Sequence, residues 1–498
     1  MIVDATSNEK ESIFSYAAKL VLGQVVFAGS FMLIYPGFVA TDPYRDTLTA
    51  SYVLAHGGGL PLNAPGLVWY VFSPMVPLNY AIASLMTGIS LRLVEILSGI
   101  GYFSLIMISV GCIMIRIGSD VRSARIAMVL VTLFPYLGHY ATWPAPSVLA
   151  LSLASLVILS LLNIKRGLTF VAPMILGLTI VLTHGGISLA LIAIVFVLYF
   201  ATRSNAILRL ASVLGVSVIA YDFLVSIRGA GLGILTIWSF FQEALKQTGP
   251  TTAYGIATGH SATETAMQSY PLIFFAGLSW LGLSLILYSR SKNRSFTIAL
   301  TVIGGISVFL GTFTTGIIST QVGGNYLALM GFPLLSIPAS IGLVALLRAK
   351  HRRQILLWFM LVALVVSAVT YVGNSPDFWQ GVGNQGYAAN ARLSSTTTLG
   401  EQASQLFLDE YDVGHYVQSN FLLTFTNITG TDVGYSISGF PEHGWVTSLP
   451  VAQASVILIS DRATVLGIVP PYPRPTYNQS EIGLIYNSNS CEAFYVPK

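Results

Sequence analysis

Long apolar runs separated by short polar breaks recur along this chain, and each run spans enough residues to approach or cross a ~30 Å hydrocarbon layer. Apolar segments over residues 13–35, 93–115, 126–140, 147–162, 170–183, 187–201, 208–225, 271–288, 296–317, 326–347 and 355–371 predict eleven membrane helices. Several are short for a full crossing, and the two runs flanking His184 also read as one hairpin. Three polar stretches interrupt the series. They are a loop over 36–92, a second over 228–270, and a tail from 374 to 498 rich in Asn, Ser, Thr and Gly. Within the tail a helix is expected over 399–418, followed by short apolar runs at 454–460 and 482–486 that read as strands. The expected architecture is all-α and polytopic over residues 1–373, with an extracytoplasmic α/β domain over 374–498.

Composition agrees with the pattern. Hydrophobic residues make up 54% of the chain and charged residues 9%, far below the roughly 25% charge of soluble proteins. The N-terminus lacks a basic stretch and a small-residue cleavage site, so the first run is expected to be a retained helix. Cys112 and Cys491 imply no disulfide framework. No GxxxxGKS phosphate loop and no internal repeat are present, which leaves an ATP-driven pump without a motor.

Charge gives the chain a sidedness. With the N-terminus in the cytoplasm, 16 of the 24 Lys and Arg residues fall on the inner side, most in short loops, as the positive-inside rule requires. Only Asp4, Glu9, Glu11 and Asp120 join them among the 20 acids, and the rest lie at or beyond the outer face. The C-terminal region is then outside, where the sequons at Asn427 and Asn478 could be used.

The most informative polar segment follows the first run: TDPYRDTLTASYVLAHGGGLP, residues 41–61. It reads as a short helix with Asp42 as N-cap, Pro43 in the first helical position and Gly57 as the stop. Asp42 and Asp46 are then four apart, on one face near the positive end of the helix dipole. Capping alone accounts for Asp42. It does not account for Asp46 beside it.

An acidic helix opening on the outer side of a first membrane helix resembles the GT-C superfamily of multi-spanning glycosyltransferases. Residues 41–61 resemble the acidic opening of protein O-mannosyltransferase-like members and the DPY/DPW opening of oligosaccharyltransferase catalytic subunits. The stretch SLRLVEILSGIGYFSLIMISVGCIMIRIGSDVRSARIAMVLVTLFPYLGHY (90–140) is similar to the second and third helices of the mannosyltransferase-like group. Ser261-Ala-Thr-Glu264 has the spacing of the oligosaccharyltransferase S/T-x-x-E element. The chain also departs from these relatives. Pro43 stands where the mannosyltransferase-like motif has Glu, His139–Pro146 carries no acid or Arg, and the WWDYG motif is absent.

The resemblance implies a sugar carried on a polyprenyl phosphate and moved to a glycan, lipid or protein acceptor on the outer face. A carboxylate would take the acceptor proton, and arginines would hold the leaving phosphate. Asp42 and Asp46 are the catalytic candidates, and Arg45 and Arg228 the phosphate ligands, with Arg92 a further outer cation. Asp222, within an apolar run, reads either as half of an ion pair with Arg228 or as a functional group, since a charge there costs about 2.5–3.5 kcal/mol on insertion. His184 and His139 are either interfacial residues or parts of a relay or metal site. Glu264 completes the candidate set. A divalent ion, Mg or Mn, would find its ligands in Asp42 and His184. Glu95 reads as a partner of Arg92. The loop-edge aromatics, Trp69 and Trp143 among them, read as an interfacial belt or as sugar platforms. The competing reading is a non-catalytic protein of the same fold, either a lipid-linked-sugar transporter or an assembly partner.

Overall fold

The computed structural model describes residues 7–34, 41–60, 73–133, 145–164, 168–227, 262–288, 293–313, 324–348 and 354, with strand residues 406–407, 456–460, 483–488 and 491–495. The helices are α1 (Ser7–Ile34), α2 (Thr41–Ala55), α3 (Met75–Thr87), α4 (Leu91–Arg116), α5 (Val121–Leu133), α6 (Pro146–Leu161), α7 (Leu168–Thr183), α8 (Gly185–Thr202), α9 (Asn205–Ile227), α10 (Ala262–Tyr288), α11 (Arg294–Phe313) and α12 (Gly324–Arg348). Ten of the eleven expected spans coincide with one of them. The eleventh, 355–371, lies outside the described residues, as do His139 and Arg228.

By length and composition, Leu91–Arg116, Gly185–Thr202, Asn205–Val225 and Leu329–Arg348 can each cross a membrane, and shorter apolar helices accompany them. The chain is a multi-pass membrane protein. Large apolar side chains such as Phe14, Leu22, Phe223, Trp280 and Phe309 stand outward, where hydrocarbon rather than water suits them.

The chain divides into two compact units. The first comprises Met1–Ser30, Phe72–Val76 and Leu93–Val372, and the second Phe31–Val71, Pro77–Arg92 and Gly373–Lys498. In the first unit α12 is the central helix and packs on α5, α8, α10 and α11. Its residues 329–340 are buried without a break, the pattern of a helix surrounded by others. It carries Pro333 and Pro338, whose rings remove backbone donors. Ser336 and Ser340 return hydroxyl bonds to Pro333 O (2.6 Å) and Ile337 O (2.7 Å), so local carbonyls keep partners. Around this axis α6 packs on α7, α7 on α9, and α8 on α9.

The second unit contains a four-stranded sheet: β1 (Leu406–Phe407), β2 (Val456–Ser460), β3 (Gly483–Ser488) and β4 (Cys491–Tyr495), in the order β1-β2-β4-β3. β1 runs parallel to β2, while β4 is antiparallel to both neighbours, with an irregularity between Leu484 and Tyr486. The two apolar runs expected as strands are β2 and β3. Two expectations require correction. Leu406 and Phe407, inside the predicted helix over 399–418, pair with Val456 and Ile457 instead. The loop over 36–92 contains a further apolar helix, α3.

Candidate functional site

The acidic segment folds as the helix its sequence predicts, with its start shifted. α2 opens at Thr41, so Asp42 is the second helical residue and not the N-cap. Asp46 follows one turn later on the same face. Asp46, Thr49, Ala50 and Val53 are buried at helical spacing, and Ser51, Leu54 and Ala55 face outward. Asp46 has no exposed surface. A carboxyl group buried in the second turn of a helix gains from the N-terminal dipole but loses hydration, so its burial needs compensation from its surroundings.

The helix ends as expected. Gly57 and Gly58 take φ values of 63° and 95°, the left-handed region open to glycine, and Gly58 N donates to Val53 O at 2.8 Å. In the last turn His56 stacks on Tyr52 with ring centroids 3.8 Å apart, and His56 Nδ1 lies 2.9 Å from Tyr52 O. The Asp42 and Arg45 side chains lie outside the described residues.

His184 occupies the one-residue connection between α7 and α8. Its backbone is extended (φ −160°, ψ 110°), and Nδ1 accepts from Ile187 N at 3.3 Å as the N-cap of α8. Its own N–H donates to Ile180 O at 2.9 Å and closes α7. A ring nitrogen that accepts a backbone N–H must be unprotonated. Burial agrees, pushing the imidazole pKa down to about 4. The sequence placed His184 at the end of a helix, and the structure gives it a role at two ends. Metal ligation would have to use Nε2, because Nδ1 holds the cap.

Asp222 lies on α9, half-buried, five residues before that helix ends. α9 packs against α7 and α8, and a Cβ on Gly177 of α7 would crowd the Leu214 side chain of α9. The chain reverses at His184, so the ends of α7 and α9 and the start of α8 lie at one end of the first unit. The structure thus brings His184 and Asp222 to the same end of adjacent helices. Glu264 is the third residue of α10, and the S-x-x-E spacing therefore falls where a capping box would. Its side chain lies outside the described residues.

Glu95, read from the sequence as a partner of Arg92, has no exposed surface and sits in the second turn of α4. Among the described residues no three His, Cys, Asp or Glu side chains form a metal-binding group.

No protein-family model and no curated protein matches this chain. Solved structures do. ArnT from Cupriavidus metallidurans, bound to undecaprenyl phosphate, superposes with a TM-score of 0.52 over 96% of this chain and 98% of its own, at 15% identity. The Archaeoglobus fulgidus oligosaccharyltransferase, in complex with Zn and sulfate, superposes with a TM-score of 0.50 at 14% identity, over 80% of this chain and 61% of its own. The chain shares the fold of these two structures.

Proposed function

We propose that this protein is a membrane glycosyltransferase that moves a sugar from a polyprenyl-phosphate donor to an acceptor at the outer face. The observation that carries this reading is α2, a helix with two acids one turn apart, the second fully buried, in a chain of GT-C fold. One neighbour of that fold holds undecaprenyl phosphate, the chemistry of the proposed donor.

In this reading Asp42 is the base. It takes the acceptor hydroxyl proton as that oxygen attacks the anomeric carbon, and the bond from that carbon to the phosphate oxygen breaks. Polyprenyl phosphate leaves with the bonding pair. Arg45, on the same helix, holds the departing phosphate, and a guanidinium suits it because two parallel N–H donors match two phosphate oxygens. Asp46, buried one turn later on the same helix face, supports Asp42 in that role. In the alternative to the base role, Asp42 would hold a divalent ion such as Mg or Mn, which would add positive charge beside the phosphate. Arg228 is a second phosphate ligand, Asp222, His139, His184 and Glu264 shape the substrate site, and the C-terminal region on the outer side contributes to acceptor binding.

The test is direct. Purified protein incubated with undecaprenyl-phosphate sugars should release undecaprenyl phosphate and transfer or hydrolyse the sugar. Binding without turnover over long incubation would instead identify a transporter or an assembly partner.

A further inference from the structure

The end of α4, the end of α6 and the start of α11 meet at Arg116. Asn293, just ahead of α11, donates from Nδ2 to Arg116 O at 2.9 Å, which satisfies a carbonyl at the end of α4. Its own carbonyl accepts Thr297 Oγ1 at 3.0 Å and Thr297 N at 2.9 Å, so it is fixed to the first turn of α11. Asn163, beyond α6, accepts from the Arg116 guanidinium when its amide is oriented to pair donor with acceptor. An amide carbonyl holds the guanidinium in place without cancelling its charge. Arg294, next to Asn293, is a second exposed cation at this point.

Among the described residues neither Arg116 nor Arg294 has a carboxylate partner. Asp120, in the turn after α4, is already engaged. Arg348 Nη2 donates to its Oδ2 at 2.6 Å, and Ser123 N donates to its Oδ1 at 2.8 Å. Arg116 has an internal explanation, because a cation in the last turn of α4 suits the helix dipole. Arg294 has none. It opens α11, where the dipole disfavours a cation, and no acid in that first turn offsets it. Two uncompensated guanidiniums on adjoining helix ends call for an anion, and their planar forks of donors match phosphate oxygens.

We propose that Arg116 and Arg294 bind the phosphate of an anionic phospholipid, with Asn163 setting the Arg116 guanidinium against it. A lipid fits better than a soluble anion because apolar surface leads up to the cluster. α10 ends at Tyr288 shortly before Arg294, and Leu285, Leu287 and Tyr288 are exposed in its last turn. Acyl chains below a headgroup would lie along such side chains, with the tyrosine at headgroup level. The distribution of Lys and Arg reads this side as cytoplasmic, where anionic lipids give the membrane surface its negative potential. The proposal does not depend on sugar transfer, since binding is read with no sugar donor present.

Native mass spectrometry of the full chain in detergent counts bound lipid directly. Phosphatidylglycerol should bind at least tenfold more tightly than phosphatidylcholine. Arg116→Gln/Arg294→Gln should remove that preference. Arg203→Gln/Arg209→Gln, the same loss of charge at exposed arginines around the α8–α9 turn, should keep it. Arg294→Gln alone should weaken phosphatidylglycerol binding at least threefold, so the result does not rest on the double variant folding. Equal losses in the two double variants would overturn the proposal, because net charge alone would then set the binding. Displacement of the lipid by an equal concentration of glycerol 3-phosphate would also overturn it and make the cluster a site for soluble phosphate. A matching loss of undecaprenyl phosphate binding in Arg116→Gln/Arg294→Gln would overturn it too, by assigning the cluster to that lipid.

Discussion

Gly282 of α10 faces the carbonyl of Pro338 on α12 with no room for a methyl group between them. The contact fixes the distance between two helices of the central pack, and it requires glycine for space and not for φ. Gly282→Ala should therefore force the helices apart and cost about 1–3 kcal/mol or more, as overpacking does. Gly277→Ala, one and a half turns away with nothing within 4 Å of its Cβ, should be neutral or slightly stabilising. Thermal unfolding of the two variants in detergent compares them, and equal midpoints would show that the close approach carries no stability.

Asp42→Asn and Asp46→Asn should each insert normally and lose transfer by about 10²–10⁴-fold, the range for removal of a general base. The two should differ in detail. Asp42→Asn removes the base, whereas Asp46→Asn removes a buried neighbour that supports it and should lose towards the lower end of that range. Full activity in both variants would end the catalytic assignment of α2.

His184 contributes through its neutral form. Its folded pKa of about 4 lies below the ordinary 6.5, so the unfolded chain takes up the proton first as pH falls. Its stabilising contribution is complete above pH 6.5 and declines between 6.5 and about 4. His184→Asn should retain the cap and flatten that decline, while His184→Ala should cost about 1 kcal/mol at neutral pH. Melting temperature against pH for the three proteins makes the comparison.

Asp120 behaves oppositely. Burial raises its pKa, but the Ser123 hydrogen bonds and the Arg348 guanidinium outweigh that and hold it below the usual carboxylate value of 3.8. Its contribution is present above that value and lost as pH falls through the lower folded one, so stability should be flat with respect to this group from pH 5 to 8. Asp120→Asn preserves the cap at Ser123 and removes only a partly exposed ion pair, costing about 0.2–1 kcal/mol and less at high salt. Asp120→Ala should cost about 1 kcal/mol more. Equal losses in the two variants would show that the cap adds nothing.

What the sequence determined by itself was local. Runs of apolar residues set ten of the described helices, because in lipid each segment must satisfy its own backbone hydrogen bonds. The Gly57-Gly58 end of α2 and the one-turn spacing of Asp42 and Asp46 were equally legible, as each depends on a handful of adjacent residues. Only the tertiary structure decided what depends on partners far along the chain. Leu406 and Phe407 left a helical pattern to pair with a strand some fifty residues away. Asp46 and Glu95 became fully buried, which no periodicity distinguishes from a solvated acid. Asp120 met Arg348 across 228 residues, and Gly282 met Pro338, because the packing of α12 at the centre brings those backbones together. Apolar spans look alike in sequence, and which of them touch is set by the shape of their surfaces.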